Sequence, residues 1–255
     1  MLMDAPPSNE DVGPFVLITK HLRSLGYSAP EIFAQDLDNG LILLEDLGDS
    51  TFTQMLETGV KENIMYECAV DFLISLHRRP FHESVPPGVP SYDTKTLLKE
   101  VCLLTDWYLP QVLNADRIVI ARESFLAIWS QILSLSFTSP ETLVLRDFHA
   151  DNLMWLPDRK GTAACGLIDY QDAVIGPPSY DLMSLLEDAR RDVRPELFSN
   201  LWGRYLSAFP NINQKEFLQE FNVLAAQRHC KVIGIFTRLA VRDNKRAYLT
   251  HIPRI

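Results

Sequence analysis

Two short apolar runs, 143–145 and 153–156, most constrain what this chain can fold into, because they flank a mostly polar loop. A third apolar run, 164–168, follows and ends directly on Asp169. Apolar runs this short, bounded by polar and turn residues, are typical of buried strands. The pattern predicts strand, loop, strand, turn and strand in one small β-layer, with the polar loop residues and Asp169 at one edge.

Composition limits the function classes. A chain of 255 residues can bury one sizeable core, or form a large lobe with a smaller one. Its net charge of −9 argues against a nucleic-acid binder, which normally presents a basic face. No apolar run has membrane-spanning length, no signal-peptide order is recognisable, and the four cysteines form no CxxC pair. We therefore expect a cytoplasmic monomer that binds neither nucleic acid nor membrane.

The rest of the chain divides into a short β-rich piece and a helical body. Helical spacing over 15–25 is followed by strand patterns at 32–37 and 41–45 around an Asn-Gly turn. Residues 1–3 resemble the end of a strand, with no earlier strand as partner. Further helices are predicted at 64–76, 94–113, 117–135, 180–191, 195–208 and 214–241. We accordingly predict a domain over 1–47 and a helical domain over 48–255, with a β insert at 142–170.

Asp147, Asn152 and Asp169 carry the chemistry that this pattern indicates. Phosphoryl transfer uses Mg²⁺, which prefers carboxylate and amide oxygens, and a carboxylate that orients the attacking hydroxyl. Each residue alone has a structural explanation: an ion pair of Asp147 with Arg146, a loop residue satisfying its own backbone, or a turn residue. Their combined spacing favours a metal-assisted phosphotransferase site.

Three segments resemble the aminoglycoside phosphotransferase family of kinase-like enzymes, namely 147–152 (Asp-Phe-His-Ala-Asp-Asn), 166–172 and 176–182. Within that family, the chain is most similar to the anomeric N-acetylmuramate/N-acetylglucosamine kinases of cell-wall recycling, through 3–7, 43–49 and 168–173. The resemblance implies an α+β, protein-kinase-like fold with a truncated N-lobe and a mainly helical C-lobe. It also implies the use of ATP and Mg²⁺.

The resemblance assigns roles to individual residues. Asp147 is implied to be the catalytic base, and Asn152 and Asp169 the Mg²⁺ ligands. The backbone of Glu45, Asp46 and Leu47 is implied to receive the adenine of ATP. Asp181 is implied to tie a helix start to the catalytic loop, and its place early in a predicted helix also fits a simple cap.

Three substrate candidates remain open at this stage. His149 either faces the sugar or orders the loop, and the second role is favoured by the neighbouring carboxylates. Asp172 either binds a substrate hydroxyl or caps a turn. Arg228, with His229 and Lys231, either meets an acidic sugar or belongs to a solvated helix face.

The chain also departs from the kinase pattern. Leu145 stands where the family often has histidine, and no glycine-rich phosphate loop exists, since none of the 11 glycines forms a G-x-G pair. Residues 1–4 contain no lysine to pair with phosphate. We expect a fragment that lacks the first strands of the N-lobe and the last helix.

The expected function is transfer of the γ-phosphoryl of ATP to a sugar hydroxyl, the anomeric hydroxyl of N-acetylmuramate or N-acetylglucosamine. One rival is a kinase for an aminoglycoside or another small alcohol. A rival of a different class is a truncated, inactive module that binds a sugar or a nucleotide.

Overall fold

The predicted hairpin is present in the computed structural model, which describes residues 1–8, 10–134, 137 and 139–255. Strand β2 (Ile32–Asp36) runs antiparallel to β3 (Leu41–Leu44), and Gly40 closes their turn with φ 70°. Strand β1 (Leu2–Asp4) pairs with the other edge of β3, giving the order β1-β3-β2. The segment at 1–3 thus finds its partner in a strand that follows it in sequence.

Helix α1 (Gly13–Ser24) connects this sheet to the core. Its residues Phe15, Ile18 and Leu22 are buried, as the helical spacing predicts. The ring of Phe15 stacks on Tyr170 with 5.5 Å between ring centroids. Because Tyr170 directly follows Asp169, α1 fixes the chain at the point where the candidate site begins.

The helical body follows the sheet. Its helices are α2 (Phe52–Glu57), α3 (Glu62–His77), α4 (Phe81–Ser84), α5 (Thr94–Leu103), α6 (Leu109–Val112), α7 (Ala115–Leu133), α8 (Ser179–Leu186), α9 (Pro195–Ala208) and α10 (Gln214–Arg242). A π-helical turn, Leu104–Tyr108, separates α5 from α6, and 3₁₀ turns occupy Ala150–Asn152, Gly161–Ala164 and Arg246–Arg254. Among the described residues, no helix is both long and apolar enough to cross a membrane.

Two predicted helices end differently. The helix expected over 94–113 is interrupted by the π-helical turn, and the one expected over 180–191 stops at Leu186. Beyond it, the Asp188 carboxylate accepts a hydrogen bond from the Arg190 backbone N–H at 2.9 Å, a local bond that competes with the helix. The helix expected over 117–135 is present up to Leu133, and residue 135 lies outside the described residues.

The single β-layer expected around the site is wrong, because the strands form two separate pairs. Strand β4 (Thr142–Val144) pairs with β7 (Val174–Gly176), whereas β5 (Leu153–Trp155) pairs with β6 (Cys165–Leu167). The pairing separates where the backbone of Arg146 takes a left-handed φ of 68°, which redirects the chain after β4. Strand β7 escaped the sequence reading because its three residues run into a Gly-Pro-Pro segment.

A continuous cluster of buried residues extends from Val12 to Leu224. It includes side chains from both sides of the boundary expected after residue 47, such as Ile42 and Phe52. Buried side chains on both sides of residue 47 share this cluster. The division into domains 1–47 and 48–255 stays a prediction.

Helices α5 and α10 approach each other closely at Gly234. A Cβ atom on Gly234 would lie 2.3 Å from the carbonyl carbon of Leu103, at the end of α5. This approach matters for the candidate site, since α10 carries Arg228 and Lys231.

We predict that Gly234→Ala lowers the free energy of unfolding by about 2 kcal/mol, because the added methyl overpacks a backbone contact that cannot move aside. Gly203→Ala is the matched control, since Gly203 lies in α9 with nothing within 4 Å of its added Cβ. That variant should gain about 0.5–1 kcal/mol from helix propensity. Urea unfolding of both measures the difference, and equal effects would contradict the close approach of α5 and α10.

Candidate active site

The chain reverses direction between Leu145 and Asp147. The Asp147 backbone N–H donates to the Leu145 carbonyl at 2.8 Å, across Arg146 with φ 68°. A hydrogen bond between residues two apart with a positive central φ describes a strained γ-turn. This turn presents the Asp147 side chain at the end of β4.

A buried carboxylate stabilises this turn by accepting two of its backbone N–H groups. Asp181, in the first turn of α8, accepts the backbone N–H of Leu145 at 2.6 Å and that of Arg146 at 2.9 Å. Burial raises the pKa of Asp181 to about 7, although both backbone hydrogen bonds act to lower it. The carboxylate thus joins the start of α8 to the loop by two hydrogen bonds, and its role in supporting catalysis stays a prediction.

Asp147 faces a buried cation. Its Oδ1 lies 3.3 Å from both terminal guanidinium nitrogens of Arg228, and its side chain is 33% exposed. Burial acts to raise the pKa of Asp147, but Arg228 first and Lys231 second lower it to about 2. The carboxylate is therefore ionised at neutral pH and reachable by a ligand.

Asn152 joins the remaining carboxylate to the loop. Its amide nitrogen donates to the Asp147 backbone carbonyl at 3.0 Å and to Asp169 Oδ2 at 3.1 Å. The other oxygen of Asp169 accepts from Gln171 at 2.8 Å. Asp169 is exposed and, like Arg146, has a left-handed backbone with φ 60°. The amide of Asn152 thus joins the Asp169 carboxylate to the backbone of Asp147, while the Asp147 carboxylate itself pairs with Arg228.

His149 is buried, 4% exposed, and lies behind this group. Its Nε2 lies 3.4 Å from the Asn152 amide nitrogen and 3.5 Å from an Arg190 guanidinium nitrogen. Both neighbours are donors, so the ring proton belongs on Nδ1. Burial lowers the pKa of His149, which keeps the ring neutral. The position favours the loop-ordering role over contact with a sugar.

Asp151 is a contact that the sequence reading passed over. Its Oδ1 accepts from the Thr53 hydroxyl at 2.5 Å, and its Oδ2 lies 3.2 Å from Arg190 Nε. Asp151 thereby clamps the loop next to Asn152 between α2 and the segment after α8. The sequence offers one signal for Asp151, which is its place directly before Asn152, a candidate metal ligand.

The segment expected to receive a nucleotide base lies next to β5. Ser50 accepts the Trp155 backbone N–H at 2.7 Å. Glu45 pairs with Arg159 at 2.5 Å, and its side chain therefore has a structural role. Within the described ranges, the peptide groups of Asp46 and Leu47 make no backbone–backbone hydrogen bond.

The other two substrate candidates differ in access. Asp172 is exposed, and its carboxylate is 3.9 Å from an Arg146 guanidinium nitrogen. Arg228 is buried, and it also donates to the Arg146 carbonyl at 3.1 Å. Lys231 is buried as well, 3.0 Å from Glu100. A solvated helix face is therefore wrong for Arg228 and Lys231, because both side chains are buried and paired with carboxylates, whereas His229 is half-buried.

A three-stranded antiparallel sheet, a connector and a helical body, with two carboxylates and an amide gathered beside short strand pairs, define a phosphotransferase of the kinase-like fold class. A model of the phosphotransferase enzyme family matches residues 1–219, and the chain belongs to that family. The family and the kinase-like fold expected from the sequence are thereby confirmed.

Similarities to individual proteins support the assignment to this family and fold. The chain is 36% identical over 250 residues to the N-acetylmuramate/N-acetylglucosamine kinase of Caulobacter vibrioides, covering 96% of this chain and 68% of that protein. It is 35% identical over 264 residues to the protein of the same name from Pseudomonas aeruginosa, covering 100% and 74%. Aminoglycoside 2'-phosphotransferase-IIIa, solved as a GDP complex, has a TM-score of 0.65 over 95% of this chain and 80% of that chain. Its 14% identity makes this a likeness of fold alone.

We predict that Asp181 makes the stability of the chain fall with rising pH between about 4 and 7. Its folded pKa is raised, so in this window the unfolded chain releases a proton that the folded chain retains, and folding becomes less favourable as pH rises. Each pKa unit corresponds to about 1.4 kcal/mol. Asp181→Asn removes this titration, so the stability advantage of wild type over the variant should shrink as pH rises.

Urea unfolding at pH 4.5, 5.5 and 7 measures that difference. Asp158→Asn, at an exposed turn position, is the control and should show no such trend. A constant difference between wild type and Asp181→Asn across the three pH values would contradict the raised pKa.

Proposed function

We propose that this chain transfers the γ-phosphoryl group of ATP to a sugar hydroxyl. The observation that supports this best is a junction at the Asn152 amide group, which bonds the Asp169 carboxylate and the backbone carbonyl of Asp147. Phosphoryl transfer depends on positioning and charge stabilisation. The junction offers two oxygen-bearing groups for a metal ion, and the partly exposed carboxylate of Asp147, on the same loop, is available to the acceptor.

The residues at the junction fit Mg²⁺. No described hydrogen bond reaches Asn152 Oδ1, and Asp169 is exposed. Among the described residues, no group of three His, Cys, Asp or Glu side chains forms a metal site. An ion with two protein ligands and several waters or phosphate oxygens is what Mg²⁺ prefers. Asn152 and Asp169 would hold it, and when bound it would neutralise charge on the phosphate oxygens.

Asp147 would orient the acceptor hydroxyl and receive its proton. The new bond joins the acceptor oxygen to the γ-phosphorus, and the bond to the bridging oxygen of ADP breaks. With a pKa of about 2, Asp147 is a weak base toward an alcohol in the ground state. It would therefore take the proton late, when the acceptor oxygen is already bonded to phosphorus and has become acidic.

The nucleotide is assigned to the connector after β3. The peptide groups of Asp46 and Leu47 are free of backbone–backbone partners in the described part of the chain, and an adenine edge needs one donor and one acceptor. The Glu45 side chain already pairs with Arg159, so only its backbone remains for this role.

The acceptor follows from the relatives. Two proteins named N-acetylmuramate/N-acetylglucosamine kinase share 36% and 35% identity with the chain, and we assign the anomeric hydroxyl of these sugars as the acceptor. Asp172 is exposed, with its carboxylate 3.9 Å from the Arg146 guanidinium group, and we assign it to a second sugar hydroxyl. His149 and Arg228 are buried and would act on the acceptor only through Asn152 and Asp147.

We predict that Asp147→Asn lowers kcat for ADP release by roughly 10³-fold or more, since it removes the proton acceptor. The affinity for ATP should persist, because the amide keeps the size of the side chain, while the loss of a counter-ion for buried Arg228 should lower the free energy of unfolding. A coupled ADP assay with N-acetylmuramate, beside calorimetry with ATP, measures both. Asp158→Asn is the matched control, and a kcat of Asp147→Asn within tenfold of wild type rules out Asp147 as the base.

We predict opposite signatures for two nearby carboxylates. Asp169→Asn should raise the Mg²⁺ concentration for half-maximal rate by about tenfold or more, because a neutral amide binds this ion weakly. Asp172→Asn should raise the acceptor KM and leave the Mg²⁺ requirement unchanged. Titrations of Mg²⁺ and of acceptor separate the two, and a shared Mg²⁺ phenotype would contradict the assignment.

An acceptor panel tests the function itself. N-acetylmuramate and N-acetylglucosamine should release ADP, and an aminoglycoside and ethanolamine should not. Turnover only with the latter pair would favour the rival acceptor class. Sugar binding by calorimetry without any ADP would favour an inactive binding module.

A further inference from the structure

Glu100, in the middle of α5, is a buried carboxylate with every oxygen occupied. Its Oε1 is paired with Lys231 at 3.0 Å and with Arg146. Its Oε2 accepts from the Tyr92 hydroxyl at 2.5 Å and from Gln227 at 2.9 Å. None of these contacts takes part in the proposed phosphoryl transfer, so the cluster of side chains around Glu100 must have another role.

Arg146 is the partner of Glu100 that matters most. It is the central residue of the γ-turn and directly precedes Asp147, with φ 68°. A left-handed backbone costs a residue with a side chain about 1 kcal/mol or more. Such a conformation persists only where the surroundings fix it, and its φ determines the direction in which Asp147 leaves the turn.

The backbone and the side chain of Arg146 are fixed by different elements. Its N–H is bound by Asp181 of α8, and its carbonyl by Arg228 of α10. Its guanidinium group pairs with Glu100 of α5, lies over the Tyr92 ring, 5.4 Å from the centroid, and donates to the backbone carbonyl of exposed Asp172 at 3.2 Å. Only the last set of contacts depends on residue 146 having a side chain.

We propose that Glu100 is a positioning residue for phosphotransfer, which holds the Arg146 side chain so that the strained turn keeps Asp147 directed at the acceptor. We call the contact of Glu100 with the Arg146 side chain the clamp. Its expected effect on the reaction rate rests on the proposed function, whereas its effect on the turn rests on the contacts alone.

Charge balance explains why Glu100 is paired with two cations. Burial acts to raise its pKa, but Lys231 first and Arg146 second lower it below the ordinary value. Glu100 is thus ionised beside Arg146. Replacing it with glutamine removes the ion-pair partner of buried Lys231 and leaves Arg146 only the longer contact with the exposed Asp172 carboxylate, at 3.9 Å, which is unfavourable. We expect the Arg146 side chain to shift toward Asp172.

A double-mutant cycle tests the clamp. Glu100→Gln should lower kcat by about 10–100-fold and change the KM for ATP by less than about threefold. Arg146→Gly places at the turn a residue that adopts positive φ without strain, and it leaves Glu100 paired with Lys231. In that background, Glu100→Gln should lower kcat by less than about threefold.

Hydrogen exchange reads the turn without any need for activity. The amide of Asp147 is bonded to the Leu145 carbonyl, so mass spectrometry of a peptide covering 143–149 reports the opening of the turn. In the wild-type background, Glu100→Gln should speed amide exchange in this peptide by about tenfold or more. In the Arg146→Gly background, Glu100→Gln should leave the exchange rate unchanged.

Each outcome decides the matter. An equal effect of Glu100→Gln in both backgrounds, in kcat or in exchange, overturns the clamp and indicates a general structural role. Absence of turnover in wild type refutes the proposed function, while the exchange cycle still tests the clamp. If Glu100→Gln does not fold, Tyr92→Phe removes one bond to Glu100 and keeps its charge, and a rate loss confined to the Arg146 background supports the proposal.

Discussion

Two backbone hydrogen bonds to the Asp181 carboxylate are the interaction on which the rest of the site depends. They join α8 to the residues at the end of β4, where the chain has left its strand pairing and no ladder bond can satisfy these N–H groups. A buried N–H without a partner costs as much as a lost hydrogen bond. The strained turn can therefore exist only while α8 is docked, which links the orientation of Asp147 to the packing of the helical body.

The second constraint is electrostatic. Arg228 and Lys231 lie three residues apart on α10, so both face the same side of the helix. They meet Asp147 and Glu100 respectively. Helix α10 thus supplies the cations that neutralise both the proposed base, Asp147, and the proposed positioning residue, Glu100. The close approach of α10 to α5 at Gly234 holds this helix against the one that carries Glu100, and the charges of Arg228 and Lys231 keep the pKa of Asp147 low.

Sequence reasoning succeeded where information is local. The Asn-Gly hairpin and the helices with clear apolar spacing follow from short patterns, and so does the hydrogen bond between Asn152 and Asp169. The roles of Asp147, Asn152 and Asp169 stay predictions. Sequence reasoning failed where a distant partner decides the outcome. Strand β7 has three residues and is recognisable only through its pairing with β4, and Glu100 resembles any surface glutamate of an amphipathic helix until Arg146 and Lys231 are seen around it.

The low pKa of Asp147 and the raised pKa of Asp181 differ because the balance between burial and the same nearby cation differs for the two carboxylates. Both carboxylates are close to Arg228, which lowers the pKa of each. For Asp147 this effect, with that of Lys231, exceeds the cost of burial. Asp181 is enclosed more deeply, so burial dominates, and the negative charge of Asp147 adds to it. The site therefore concentrates its negative charge on the carboxylate that a ligand can reach, while burial raises the pKa of the supporting carboxylate to about 7.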